Sequence, residues 1–214
     1  MGDLSLIKGL FIHPTPSGAY YAVSAKDTDI SRQFLKALLK QQTSPQLNIE
    51  NLQLLMQLED EEKCLQLLHR CQKLGWVQGI NKAINFPQQA MENIIPDMLK
   101  NITETGKALL ADDQGFYLAC IGFPHEVAEE LSALSAEIAI VHERRSGVLM
   151  KNLGLASHAW AVVDATGNSQ VGCWPLFIGK TRFVIAISGM PKFNQPDFVN
   201  LVWTLSIRYA KNTK

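Results

Sequence analysis

One long helical pattern, residues 125–151, stands between two strand signals and three more, and it limits the folds open to this chain. Pro124 opens the stretch, and Val127, Leu131, Leu134, Ile138 and Val141 recur at three- and four-residue intervals as one broad apolar stripe. Such a stripe needs a layer to cover it, and strands on either side in sequence supply a sheet. A second stripe, Ala128, Ser132, Ser135 and Ala139, lies about a hundred degrees around the helix and carries only small side chains. The large stripe is expected to lie on the sheet, which leaves the small one to admit close approach of another helix.

The flanking strands follow from alternation and turn chemistry. Before the helix, residues 108–111 and 116–121 are joined by Asp112-Asp113-Gln114-Gly115, a hairpin signal. After it come residues 159–163, 171–178 and 182–188, separated by Asp164-Ala165-Thr166-Gly167-Asn168 and by Gly179-Lys180-Thr181. A helix precedes the set, with Met91, Ile94, Ile95, Met98, Leu99 and Ile102 on one face and Pro96 kinking it or restarting it. Another closes the chain after Gln195-Pro196, with Phe198, Leu201, Val202, Leu205 and Tyr209 facing inward.

The front of the chain reads differently. Residues 6–11 and 19–23 are apolar runs separated by His13-Pro14-Thr15-Pro16-Ser17-Gly18, and they predict a hairpin. Residues 29–40 predict a helix capped by Asp29 or Thr28, with Ile30, Phe34, Leu35, Leu38 and Leu39 inward. A short helix around Ile49, Leu52, Leu55 and Met56 follows, then one over residues 61–74 with Cys64, Leu65, Leu68 and Leu74 inward and Gly75 ending it. Trp76-Val77-Gln78-Gly79 then predicts a strand. Residues 80–87 are the best linker, so the expected division is 1–85 and 88–214.

Composition narrows the function. With 47% apolar and 19% charged residues the chain has a core to bury, and 20 basic against 20 acidic residues give no net attraction to nucleic acid or an anionic membrane. No apolar run nears the roughly 20 residues of a membrane helix, and the start, Met1-Gly2-Asp3-Leu4-Ser5, lacks a signal peptide's order, so a cytoplasmic protein is expected. Cys64, Cys71, Cys120 and Cys173 lack Cys-x-x-Cys spacing and read as buried thiols without a disulfide.

Two resemblances can be stated on these residues. Three compact helices followed by Leu74-Gly75-Trp76-Val77 resemble a winged helix-turn-helix module over about residues 25–83, through the order of elements alone. The order helix, two strands, long helix, three strands, helix resembles the roadblock family, the fold of dynein light chain roadblock and of bacterial regulators of small Ras-like GTPases. The best local likeness is Ala108-Leu109-Leu110-Ala111-Asp112-Asp113-Gln114-Gly115-Phe116-Tyr117-Leu118-Ala119-Cys120-Ile121-Gly122, similar to the family's opening hairpin. It continues through residues 127–136, similar to the small-residue start of its central helix. The expected fold class is therefore α+β: a winged-helix-like module followed by a roadblock-type α/β sandwich with a five-stranded antiparallel sheet.

The roadblock resemblance implies pairing of two subunits through the central helix and the strand after it. It places the dimer contacts at Ala128, Ser132, Ser135 and Ala139 and, in the strand over residues 158–164, at Trp160 and Val162. Helix propensity alone is the competing explanation of the small residues. The most charged point of the helix, His142, Glu143, Arg144 and Arg145, is implied as a partner contact through His142, Arg144 and Arg145, against the alternative of a solvated helix end.

Catalytic chemistry finds no constellation. Gly179-Lys180-Thr181 resembles the tail of a P-loop, but Trp174 stands where the earlier glycine belongs and a strand follows. Cys64, His69 and Cys71 lack further convergent ligands. His125, Glu126, Glu129 and Glu130 suit a helix N-terminus, and Ser188-Gly189 lies outside a nucleophile elbow. No cofactor is expected, and the chain reads as a non-enzymatic adaptor, a homodimer that binds a small Ras-like GTPase or other protein partner. The competing reading is a DNA-binding regulator using the winged-helix-like module. Charge separates them, because Glu59-Asp60-Glu61-Glu62 at the start of the third helix repels DNA.

Overall fold

The computed structural model describes residues 4–26 and 29–210; Met1, Gly2, Asp3 and the alternative cap Thr28 lie outside them. The prolines that suggest a hairpin near the front instead start a helix. Thr15 accepts the amide of Gly18 through its hydroxyl, Pro16 occupies the first turn, and α1 runs over Pro16–Val23. The strand before it, β1 (Phe11–Pro14), pairs antiparallel with a distant partner, Phe11 opposite Ile80 and Pro14 opposite Val77. The predicted hairpin of residues 6–11 with 19–23 is therefore corrected to a strand and a helix. Apolar alternation favours a strand there, but a Thr-Pro helix start takes precedence.

The next three helices follow their periodicity. Asp29 caps α2 (Ile30–Leu38), Asn48 caps α3 (Ile49–Met56) and Asp60 caps α4 (Glu61–Lys73), each accepting an amide three residues on. Gly75 takes the left-handed conformation just past α4, and β2 (Val77–Ile80) returns to β1. Gly18 lets α1 lie against this turn: a Cβ there would fall 1.9 Å from the Trp76 carbonyl oxygen, while Ser17 donates to the Gly75 carbonyl at 2.8 Å.

Beyond residues 81–90 the chain builds α5 (Met91–Asn101), which continues through Pro96, then β3 (Ala108–Ala111), β4 (Tyr117–Ile121) and α6 (His125–Gly147), extended by a π-helical turn over Val148–Asn152. The strands β5 (Trp160–Val163), β6 (Ser169–Ile178) and β7 (Thr181–Ser188) follow, and α7 (Pro196–Tyr209) closes the fold. The five strands form one antiparallel sheet in the order β4-β3-β7-β6-β5. Gly179 and Lys180 make the tight turn from β6 to β7, so a strand follows the Gly-Lys-Thr sequence.

Alternation along the strands divides the core into two layers. Ala108 and Leu110 of β3 and Phe183, Ile185 and Ile187 of β7 face α5 and α7. Leu109, Ala111, Val184 and Ala186 face α6. The first layer does not stop at the sheet. It runs on through α1 into α2, α3 and α4, so one buried cluster spans residues from Ile12 to Ile207. Trp203 of α7 donates from its indole to the Gln41 carbonyl at 2.7 Å and packs against His13, and Tyr20 of α1 stacks on Phe193.

Candidate functional site

The two stripes of α6 take the opposite roles from those expected. Ala128, Ser132, Ser135 and Ala139 are buried inside the subunit, against β3, β4 and β7. The sheet face beneath them carries mostly small side chains, Ala111, Cys173, Val184 and Ala186, so the helix beds down closely there and small residues are what fit. Neither hydroxyl is left unpaired on burial, since Ser132 donates to the Ala128 carbonyl at 2.7 Å and Ser135 to that of Ser132 at 2.8 Å. These four side chains are consequently not available to a partner helix in this arrangement, and their assignment to a dimer contact is corrected.

The large residues are left outside. Val127, Leu134 and Val141 are exposed, Val141 by 52%, and Leu131 and Ile138 beside them are half-buried. Beside this flank lies β5, an edge strand paired only with β6. All four of its residues are exposed, Val162 by 68%, and none is charged. An uncharged exposed edge presents free amides and carbonyls ready for another strand, and soluble proteins usually blunt such an edge with charge or proline.

Register ties the two elements into one surface. Trp160 pairs with Cys173 and Val162 with Val171, and Cys173 belongs to the layer under α6, so Trp160 and Val162 lie on the α6 side of the sheet. Trp160 also reaches the helix directly, donating from its indole to His142 Nδ1 at 2.7 Å. That bond holds His142 almost fully buried, 4% exposed, in contact with the His158 ring. His142, expected as an exposed partner contact, is instead an internal support, because the following helical turn carries it under β5. Arg144 and Arg145 are exposed as expected, and Arg145, seven residues beyond Ile138, prolongs the apolar flank.

Little in the described residues offers reactive chemistry. Burial raises all four thiols, Cys173 to about 11, so none is poised as a thiolate at neutral pH. Tyr117 and His125 share a hydrogen bond of 2.7 Å and His125 lies 3.4 Å from Glu129, but this chain is open to solvent at the start of α6. Among the described residues no three His, Cys, Asp or Glu side chains are grouped to hold a metal ion, and no helix is long and apolar enough to cross a membrane.

Sequence reading missed one polar assembly. Glu143 of α6 binds Lys26, just beyond α1, at 2.6 Å and Arg182 of β7 at 3.3 Å, which draws its carboxyl below the usual range, first through the Lys26 hydrogen bond. The three come from distant parts of the chain, and no linear motif announces them.

No family model and no curated protein matches the chain. Among solved structures it is similar to a roadblock/LC7 domain from Streptomyces avermitilis, at 12% identity over 55% of this chain and 92% of that one, with a TM-score of 0.35. It is also similar to the gliding protein mglB from Thermus thermophilus, at 20% identity over 59% of this chain and 95% of that one, with a TM-score of 0.36. TM-scores this low leave the reading of the chain to its own residues.

Proposed function

We propose that this protein is a non-catalytic adaptor that pairs with a second copy of itself through the β5 edge and the outer flank of α6, and that the pair engages a small Ras-like GTPase. One observation carries the pairing: an exposed, uncharged edge strand lies on the same side of the sheet as an uncovered apolar helix flank. Joining two β5 strands satisfies both edges and extends the sheet, while Leu134, Ile138 and Val141 of the two helices cover one another. In this pairing Trp160 and Val162 supply the strand contacts, and the large stripe takes the part of the small one. The GTPase comes from the resemblance in the order of elements, and the exposed Arg144 and Arg145 beside the flank supply charge at the rim of that surface. The division into a winged-helix-like front module and a roadblock-type domain belongs to the same proposal, with the front module serving as a protein-docking surface. The acidic start of α4 supports that over DNA, and Asp60 there has a local task, capping the helix.

Light scattering on the full chain is expected to give twice the chain mass of 23.8 kDa at tens of micromolar. A monomeric mass there removes the pairing. Affinity capture from the native cell extract, with wild type and a pairing-deficient variant side by side, is expected to retain a small GTPase only with wild type. Intact pairing without any GTPase removes the partner and leaves the dimer standing.

A further inference from the structure

A cleft of about 590 Å³ opens where the front of the chain meets the turn between β6 and β7. Lys26 and Lys36 approach it from the front elements, Lys180 and Arg182 from the turn and β7, Glu143 from α6 and Asp113 from the turn between β3 and β4. Four cations face two carboxylates, a surplus of two positive charges in one concavity.

The distribution of partners sharpens this. Glu143 is shared between Lys26 and Arg182, while among the described residues neither Lys36 nor Lys180 stands in an ion pair. Arg182 is only 9% exposed, its contact to Glu143 is a long one at 3.3 Å, and its Nε is buried without an acceptor. A guanidinium carries five donors, and burying one so incompletely satisfied is costly unless something else supplies oxygen atoms. Burial first, and then the positive charges of Arg32 and Lys40, hold the Lys36 ammonium below its usual range, and Asp29, paired with Arg32 at 3.5 Å, offsets this only in part. Phe177 underlies Lys26, whose ammonium sits 5.7 Å from the ring centroid, so the floor is partly apolar.

We propose that this cleft binds the phosphate group of a small phosphorylated molecule. A phosphate monoester carries up to two negative charges and three strong acceptor oxygens, which match the surplus of two and the ammonium groups of Lys36 and Lys180, which stand in no ion pair among the described residues. The volume falls in the range of small-molecule sites, which leaves room for a modest organic body over Ile140 and Phe177. Because the walls belong to α2, α6 and the β6–β7 turn, such a ligand bridges the front of the chain to the sheet.

The test uses the full chain, with calorimetric titration of inorganic phosphate, a nucleoside monophosphate and a phosphoserine peptide at constant ionic strength, and sodium chloride as control. Saturable binding of inorganic phosphate and of the monophosphate is expected, with none from chloride. The double variant Lys36→Gln/Lys180→Gln, altered only at groups that make no ion pair, should bind roughly tenfold more weakly or worse. Arg182→Gln should lose binding too; if it fails to fold, the double variant alone decides. Equal heats with chloride, or unchanged affinity in the double variant, overturn the site. Tighter binding of the phosphopeptide than of the monophosphate overturns the small-molecule assignment.

Discussion

His142 shows how one side chain couples the interior to the proposed interface. An indole N–H only donates, so the 2.7 Å contact from Trp160 requires a lone pair on His142 Nδ1 and hence a neutral ring protonated at Nε2. Burial lowers its affinity for a proton, and Glu143 next door partly restores it. The sign follows from linkage: with a folded-state value below the ordinary one of about 6.5, its contribution to stability is whole above that pH and is lost as the pH falls below it toward the depressed value. His13, buried against Ser44 and Trp203, is lowered by burial as well and acts in the same direction. Urea midpoints between pH 7.5 and 5 should therefore fall more steeply for wild type than for His142→Gln, which retains a hydrogen-bonding side chain but cannot titrate. Parallel slopes would remove the role of His142. In the paired protein the same protonation breaks the Trp160 anchor, so the dimer mass should fall over that pH range as well.

At the scale of elements, strands and helices with an uninterrupted period are legible, and the failures have physical causes. The sheet strands, α3, α4 and α7 lie within a residue or two of their expected ranges, because turn residues bracket them or apolar spacing holds throughout. The front hairpin fails because β1 finds its partner in β2, more than sixty residues away, and alternation does not say with whom a strand pairs. On α6 the sequence displays two stripes without saying which one is covered. The decision lies in the other layer, where Ala111, Cys173, Val184 and Ala186 leave room only for small residues. This reversal makes the two stripes separable by mutation. Ala139→Arg drives a long cation into the contact of α6 with the sheet and should destabilise the fold by several kcal/mol, as expected for a buried unpaired charge. Val141→Glu and Val162→Lys place charge on exposed positions and should leave the denaturation midpoint within about 0.5 kcal/mol for the monomer while halving the mass in solution. A monomeric, fully stable Ala139→Arg protein would restore the small stripe as the interface.

For the whole molecule, a linker composition at residues 80–87 suggests two parts, yet the buried cluster does not divide there. The features that join the parts are single side chains spread through the sequence: Tyr20 against Phe193 and Phe198, Trp203 against His13 and Gln41, Lys26 against Glu143. None has a periodic signature, which is why neither this joint nor the cationic cleft beside it is legible in the sequence. Removing the front would uncover the α1-facing side of α7 and strand Trp203 without its acceptor, creating a contiguous apolar patch of the kind that drives association. A fragment of residues 88–214 is therefore expected to aggregate or to bind a hydrophobic dye, and the full chain to unfold in one transition. The check is to follow denaturation by two probes, the far-ultraviolet signal of the helices and the fluorescence of Trp76 in the front half against Trp203 in the back, using single-tryptophan variants. Coincident midpoints mean one cooperative unit, since a joint through a shared core transmits the loss of either side to the other. Separated midpoints, with a soluble and well-folded fragment, would instead return the two parts to independence and leave the contacts between them as docking alone.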